Sequence, residues 1–294
     1  MARGGAQIAL FETKSLSHIV NVAAVPQRSI FRYPGGKTWL VPRIRRWLRS
    51  RPTKFIEPFA GGGIISLTVA AENLADQVVM VEIDEQVAAV WKVILEGDAE
   101  WFAKRIVTFE LTPQSLSEVL SSKPRSLREK AFQTILKNRT FHGGILAPGS
   151  APLKYGENGR GISSRWYAET LKRRILDIVP IRNRIRFIEG DGIEIMKQYA
   201  HDPNAAFFID PPYTAGGKRA GRRLYSHSEL DHEKLFKVTS KVAGDFLMTY
   251  DDAADVRELA NKYSFDMELI AMKNTHHAEM TELLIGRDLG WVRD

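Results

Sequence analysis

The chain has 294 residues, is 44% hydrophobic and carries a formal net charge of +7. That is enough for a sizeable core, in one large domain or one domain with an insertion. No apolar run is long enough to span a bilayer, so no membrane partner is expected. The opening stretch, with an acidic Glu12, makes a poor secretory signal. The absence of cysteine excludes disulfides, thiolate metal sites and thiol nucleophiles. The charge is unevenly spread: from Ser121 to Arg186 there are 15 Lys or Arg against 4 Asp or Glu. The rest of the chain is therefore net acidic. This middle third reads either as an electrostatic footprint for nucleic acid or as solvated helical faces, and the asymmetry favours the first.

Residues 1–28 show no period and read as an irregular arm. Phe31-Arg32-Tyr33-Pro34-Gly35-Gly36-Lys37 follows, a glycine turn with a lysine at a helix start. Thr38 is the expected cap of that helix. Such a turn lets an anionic or carboxylate-bearing ligand come close, although the spacing is not that of a phosphate-binding Walker loop. Lys54–Ile56 reads as a first strand, leading into Glu57-Pro58-Phe59-Ala60-Gly61-Gly62-Gly63 and a helix over 64–71. Strand, glycine turn and helix together make the first crossover of a nucleotide-binding α/β unit. Val78–Val81 is a second strand ending in Glu82-Ile83-Asp84-Glu85. An acid at that place, Glu82 first and Asp84 second, is placed to accept hydrogen bonds from ribose hydroxyls. Asp84 and Glu85 are equally consistent with acids at a helix amino terminus.

Residues 86 to about 138 read as helices, and 139–161 as a long glycine- and proline-rich loop or small hairpin. Loops of that length in a compact domain are usually functional. Ser163 is the expected cap of the next helix. The sheet resumes at 184–188 and turns at Glu189-Gly190-Asp191-Gly192, where a permissive glycine lets a planar ligand edge reach Asp191. Ala205–Ile209 is then a short apolar run of the kind buried in a parallel sheet. It ends in Asp210-Pro211-Pro212-Tyr213, at the strand end where open α/β sheets bind ligands. Two prolines stiffen the turn and remove two N–H donors, which leaves acceptors beside the Asp210 carboxylate. Acceptors next to an aromatic ring suit the exocyclic amine of a planar base. The alternative is an ordinary strand-to-loop turn. A glycine-basic loop over 214–227 holds Lys218, Arg219, Arg222 and Arg223. A helix over 229–241, a strand over 245–250, a helix over 253–262 and a closing strand pair at 265–272 and 280–285 complete about seven strands.

Taken together, these motifs resemble those of the Dam-type, class-alpha N6-adenine-specific DNA methyltransferases. FRYPGGK is similar to that family's amino-terminal cofactor motif, FIEPFAGGG to its glycine motif, MVEIDE to its acidic second strand, EGD to its third element and DPPY to its catalytic motif. The five occur in the family's order over about 30–285. The resemblance implies a Rossmann-like, S-adenosylmethionine-dependent methyltransferase fold of class α/β. Its catalytic domain would comprise 29–95 and 183–294, with a mostly helical target-recognition domain inserted at 96–182. It also implies a cofactor site at Tyr33, Pro34, Gly35, Gly36, Lys37, Phe59, Ala60, Gly61, Gly63, Glu82, Asp84, Asp191 and Asp210. Asp210, Pro211, Pro212 and Tyr213 would act on a flipped adenine. Tyr33 departs from the family's tryptophan and Glu82 from its aspartate. The loop around Asn138 and Arg139 is closer to a broader Asn-Arg-x-x-x-x-Gly pattern than to the part that reads GATC, which leaves the target sequence open.

The chemistry needs no metal. An adenine amine is a poor nucleophile, and acceptors from Asp210 and the Pro211 carbonyl would draw it toward tetrahedral geometry for in-line attack on a sulfonium methyl. Tyr213 would stack on the extruded base. The lack of cysteine agrees, because C5-cytosine methylation needs a thiolate. His276-His277 and the pair His227, His232 lack companion ligands, so no metal is expected. Arg139, His142, Lys154, Tyr155 and Arg165 join the four basic residues of 218–223 as expected DNA contacts, mostly to phosphate. Double-stranded DNA is the expected partner, in bacterial or phage-like cytoplasm, with a cognate restriction endonuclease and a monomeric or weakly dimeric chain. Methylation of cytosine N4 or of RNA, and non-catalytic DNA binding on the same fold, are the competing readings.

Overall fold

The computed structural model describes residues 24–32, 35–212, 230–273 and 279–293. Seven strands form one sheet: β1 (Lys54–Glu57), β2 (Gln77–Glu82), β3 (Ile185–Glu189), β4 (Ala205–Ile209), β5 (Asp245–Tyr250), β6 (Asp266–Lys273) and β7 (Glu279–Gly286). Their order is β3-β2-β1-β4-β5-β7-β6. The first five run parallel, and β7 is antiparallel to both β5 and β6. Every strand expected from the apolar runs is present. β4 is buried at all five positions, as a strand covered on both faces must be.

Alternation along the strands splits the core in two. Phe55, Val78, Met80, Ala206, Phe208 and Leu247 point to one face. Ile56, Val79, Val81, Phe207, Ile209 and Met248 point to the other. The second face is covered by α8 (Gly192–Tyr199), α9 (His232–Thr239) and α10 (Ala254–Lys262), and α11 (Gly290–Arg293) closes the described chain. The first face carries α1 (Val41–Trp47), α2 (Ile64–Ala71), α3 (Glu85–Val93), α4 (Ala99–Val107), α5 (Pro113–Ser121), α6 (Leu127–Thr140) and α7 (Ala168–Ile178).

The segment over 96–182 brings no separate core. Phe102, Ile135, Leu136, Leu171 and Ile175 belong to the same buried cluster as Phe55 and Trp91. Nor does a linker mark its start. The chain passes from α3 to α4 through a π-turn over Ile94–Asp98, kinked where Gly97 has φ 119°. The loop after α6 folds back on itself: His142 N–H donates to the Ala151 carbonyl at 3.1 Å, Leu153 N–H to the Thr140 carbonyl at 2.9 Å, and Phe141 bridges Pro152. It is a small hairpin-like loop.

Two expected caps are corrected. The first helix opens with a single 3₁₀ turn, Thr38–Leu40, whose cap position is Lys37 and which has no side-chain cap bond. Ser163 lies inside another 3₁₀ turn, Gly161–Arg165, and α7 starts only at Ala168, after Tyr167 at φ 40°. In both places a short tight turn precedes the helix, so the hydroxyl lies away from the first free N–H groups. The helix placed at 229–241 runs from His232 to Thr239, with Asp231 accepting from Lys234 N–H.

Candidate active site

The parallel strands carry four acidic side chains to one edge of the sheet. Glu57 ends β1, Glu82 ends β2, Asp191 follows β3 and Asp210 follows β4. Glu82 organises the first loop. Its Oε2 accepts from Gly61 N–H and its Oε1 from Asp84 N–H, both at 2.8 Å. It therefore ties the glycine turn to the turn after β2. Burial pushes its carboxyl up to about 7, against the lowering effect of those N–H groups. Trp91 Nε1–H donates to the Gly61 carbonyl at 2.9 Å and fixes the turn from behind. Gly63, at φ +63°, has no room for a side chain: a Cβ there would lie 2.7 Å from Met80 Cε. Glu57 is buried beneath this loop, accepts from Ser66 N–H at 2.9 Å, and is driven up to about 8 by burial.

Asp191 caps α8, with Oδ1 accepting from Ile193 N–H at 2.8 Å. Asp84 caps α3 in the same way, through Gln86 and Val87 N–H. The helix-terminus reading of Asp84 is thus realised in the fold. The glycine after Asp191 is required by packing. A Cβ on Gly192 would stand 2.1 Å from the Pro58 carbonyl oxygen, so the close approach is made by the glycine loop's own backbone. This contact sets Asp191 beside that loop.

Asp210 is held by donors from two other elements. Lys37 Nζ lies 2.9 Å from Asp210 Oδ1, and Thr249 on β5 donates to the same oxygen at 2.8 Å. Lys37 also reaches the Gly35 carbonyl at 3.0 Å and Glu282 Oε1, on β7, at 3.1 Å. The lysine is only 3% exposed. Burial would lower its pKa, but Asp210 and Glu282 more than offset this and leave it raised, so it is a fixed cation. Lys37 faces protein carboxylates here, which makes it a link between the FRYPGGK turn and the DPPY strand. Beside Asp210, Tyr250 is buried and 3.0 Å from His232 Nδ1. Burial raises the tyrosine pKa, with Asp210 adding to the effect.

The remaining expected residues are dispersed. Phe59 is half-buried and Ala60 buried at the glycine loop, Gly35 and Gly36 are exposed, Pro211 is buried and Pro212 half-buried. Tyr33, Pro34, Tyr213, Lys218, Arg219, Arg222, Arg223, His227, His276 and His277 lie outside the described residues. Of the expected DNA contacts, His142, Lys154 and Tyr155 are exposed and Arg165 is half-buried. Arg139 is a correction: it is 4% exposed and donates through Nε to the Arg165 carbonyl at 2.8 Å. Burial and the neighbouring Arg32 and Arg174 lower its pKa to about 10. It braces the loop from within, since helix α6 turns that side chain inward.

Sequence reasoning missed several residues that shape the site. Thr249 is a polar position inside the apolar run of β5, and that interruption was the available signal; Glu282 on β7 carried none. Asn138 joins two distant segments: it accepts from Arg32 N–H at 2.8 Å and donates to the carbonyls of Arg32 at 2.9 Å and Gly144 at 2.7 Å. No sequence pattern reports such a weld. Ile83 is exposed between Glu82 and Asp84 and adds an apolar surface to the acidic edge.

This edge is rich in acceptors, and every carboxylate on it is anchored by backbone or side-chain donors. It suits a ligand that is cationic and bears hydroxyls and amines, and it disfavours a phosphate-rich one. Among the described residues no group of three His, Asp or Glu could hold a metal ion, and no helix is long and apolar enough to cross a membrane.

The Type II methyltransferase M.CviBI of Paramecium bursaria Chlorella virus NC1A is 24% identical over 259 residues, covering 82% of this chain and 92% of that protein. The Type II methyltransferase M.MjaIII of Methanocaldococcus jannaschii is 20% identical over 264 residues, covering 81% and 86%. Among solved structures, the rRNA methyltransferase aviRa from Streptomyces viridochromogenes aligns with a TM-score of 0.38 and 13% identity, covering 88% of each chain. Residues 33–133 match the family model described as D12 class N6 adenine-specific DNA methyltransferase. That span runs from the lysine turn through the glycine loop and Glu82 into α6.

Proposed function

We propose that this chain transfers a methyl group from S-adenosylmethionine to the N6 amine of an adenine that has been turned out of a specific duplex DNA sequence. The observation that carries the reading is the Asp210 carboxylate. It is fixed at the end of β4 by Lys37 and Thr249, at the same sheet edge as the glycine loop.

The donor set fits the cofactor. Glu82 offers acceptor oxygens for the ribose hydroxyls, Asp191 an acceptor for the adenine amine, and Ile83 and Phe59 apolar surface for the flat base. A sulfonium cation is favoured at an edge that presents Asp191 and Asp210. When bound, S-adenosylmethionine supplies an electrophilic methyl group. Asp210 accepts a hydrogen bond from the target amine and, with the Pro211 carbonyl, localises the nitrogen lone pair. Lys37 and Thr249 both converge on Asp210 Oδ1 and so fix the plane of the carboxylate before the base arrives. Tyr213 stacks on the extruded base. Lys154, Tyr155 and His142 on the α6–α7 connection, with the basic residues of 218–223, meet the duplex.

DNA from cells expressing the chain, sequenced with detection of modified bases, tests the reading. Methyladenine at one short recurrent motif, absent with Asp210→Ala, is the expected result. N4-methylcytosine would keep the chemistry and change the base. A chain that binds DNA and S-adenosylmethionine yet modifies nothing would refute it.

A further inference from the structure

Glu282 stands at the start of the apolar run Leu283–Ile285 on β7 and is 3% exposed. Ionic groups in such places are costly unless well paired. Its pairing is specific: Oε1 lies 3.1 Å from Lys37 Nζ, the same ammonium that reaches Asp210 Oδ1 at 2.9 Å. A buried Lys37–Asp210 pair alone would be neutral, and its carboxylate would be a weakened acceptor. The second carboxylate divides the ammonium's attraction and leaves the trio with one net negative charge. β7 joins the sheet beside β5, which carries Thr249, so two neighbouring strands support Asp210: β5 directly through Thr249 and β7 through the lysine.

We propose that Glu282 is a positioning residue for methyl transfer, acting through Lys37 to hold that cation on the Oδ1 side of Asp210 while preserving the acceptor strength of Asp210 toward the target amine. The inference rests on the reading of Asp210 given under Proposed function. Glu282 touches neither the base nor the cofactor in this account. Its removal therefore affects the chemical step and spares ground-state binding.

The test is a double-mutant cycle read by single-turnover methylation, with equilibrium binding of S-adenosylmethionine and DNA measured on the same variants. Glu282→Gln is expected to slow the single-turnover rate about ten-fold or more, toward the effect of losing a preorganised electrostatic group. Both binding constants should stay within about two-fold of the parent. Lys37→Met should be slow as well, and the Lys37→Met, Glu282→Gln double variant no slower than Lys37→Met alone. Conservative Glu282→Asp should recover part of the rate.

An unchanged rate in Glu282→Gln overturns the proposal, as does a double variant whose losses multiply. Should Glu282→Gln fail to fold, Lys37→Met and Lys37→Met, Glu282→Leu decide the matter. Equal rates support action through the lysine, and a further loss refutes it. Failure of the methylation reading would show in the parent chain, which would then modify no adenine. Failure of the present inference shows only in variants of an active parent.

Discussion

Lys37 and Asp210 are 173 positions apart in the chain, and their charged atoms are 2.9 Å apart in the fold. One sits on the turn before α1, the other at the tip of β4, so the amino-terminal motif and the DPPY strand are parts of one electrostatic unit. Asp210→Asn keeps the shape and removes the charge. It is expected to cut the single-turnover rate by about 10²–10³, with DNA affinity nearly unchanged. Thr249→Val removes the second donor to Oδ1 and should cost about ten-fold in rate by loosening the carboxylate. Rapid-quench measurement of methyl transfer checks both, and a Thr249→Val chain with parental rate would show that the lysine alone orients Asp210.

A second expectation concerns pH. Glu57 is buried and its carboxyl is pushed up to about 8, and Glu82 up to about 7. The folded chain therefore binds more protons than the unfolded chain from the ordinary carboxylate range up to those values. Stability should fall as pH rises through that window. Glu57→Gln keeps an oxygen for Ser66 N–H and removes the titration. It should flatten the slope, with a gain of a few kcal/mol at the alkaline end. Urea unfolding at several pH values measures this, and an unaltered slope would contradict the assignment.

Gly192→Ala places a Cβ 2.1 Å from the Pro58 carbonyl oxygen, where backbone must move. The amino terminus of α8 should be displaced, and Asp191 with it. Stability should fall by about 1–3 kcal/mol. Affinity for S-adenosylmethionine should fall more than the rate at saturating cofactor, as isothermal titration and single-turnover kinetics will show.

The basic residues should separate into two kinds. Lys154 is exposed, so Lys154→Ala should weaken DNA binding at every sequence, reduce the salt slope by about one and leave Tm unchanged. Arg139 is buried and bonded to Arg165, so Arg139→Ala should lower Tm instead, by an amount set by about 2–3 kcal/mol of lost packing and hydrogen bonding. Thermal melts and binding titrations in parallel distinguish them.

Asn138→Ala leaves Arg32 N–H and two carbonyls without their partner. A cost of about 2–3 kcal/mol is expected, together with weaker cofactor binding as the FRYPGGK turn loosens. A melt and a cofactor titration check it.

The strands were legible because parallel β-structure buried on both faces leaves unbroken apolar runs such as Ala205–Ile209. The glycine loop was legible because only glycine tolerates φ +63° against Met80 and Trp91. Thr38 and Ser163 misled because a 3₁₀ turn intervenes before each helix, and no local pattern announces that. Arg139 misled because composition reports charge without reporting which side of α6 faces the core. Glu282 and Asn138 were invisible for a different reason: each acts on residues more than a hundred positions away. Their partners are chosen by the sheet order and not by any local spacing.

The shared core of the sheet and the helices from α4 to α7 bears on how relatives can diverge in target sequence. The segment over 96–182, expected to recognise the target, is no detachable cassette. Exchanging 96–182 wholesale between relatives would tear Phe102, Ile135 and Leu171 out of a jointly packed interior. Productive chimeras will retain those helices and replace only the hairpin-like loop and the turns before α7. If the proposed function holds, new specificities should thus arise by resurfacing a fixed scaffold.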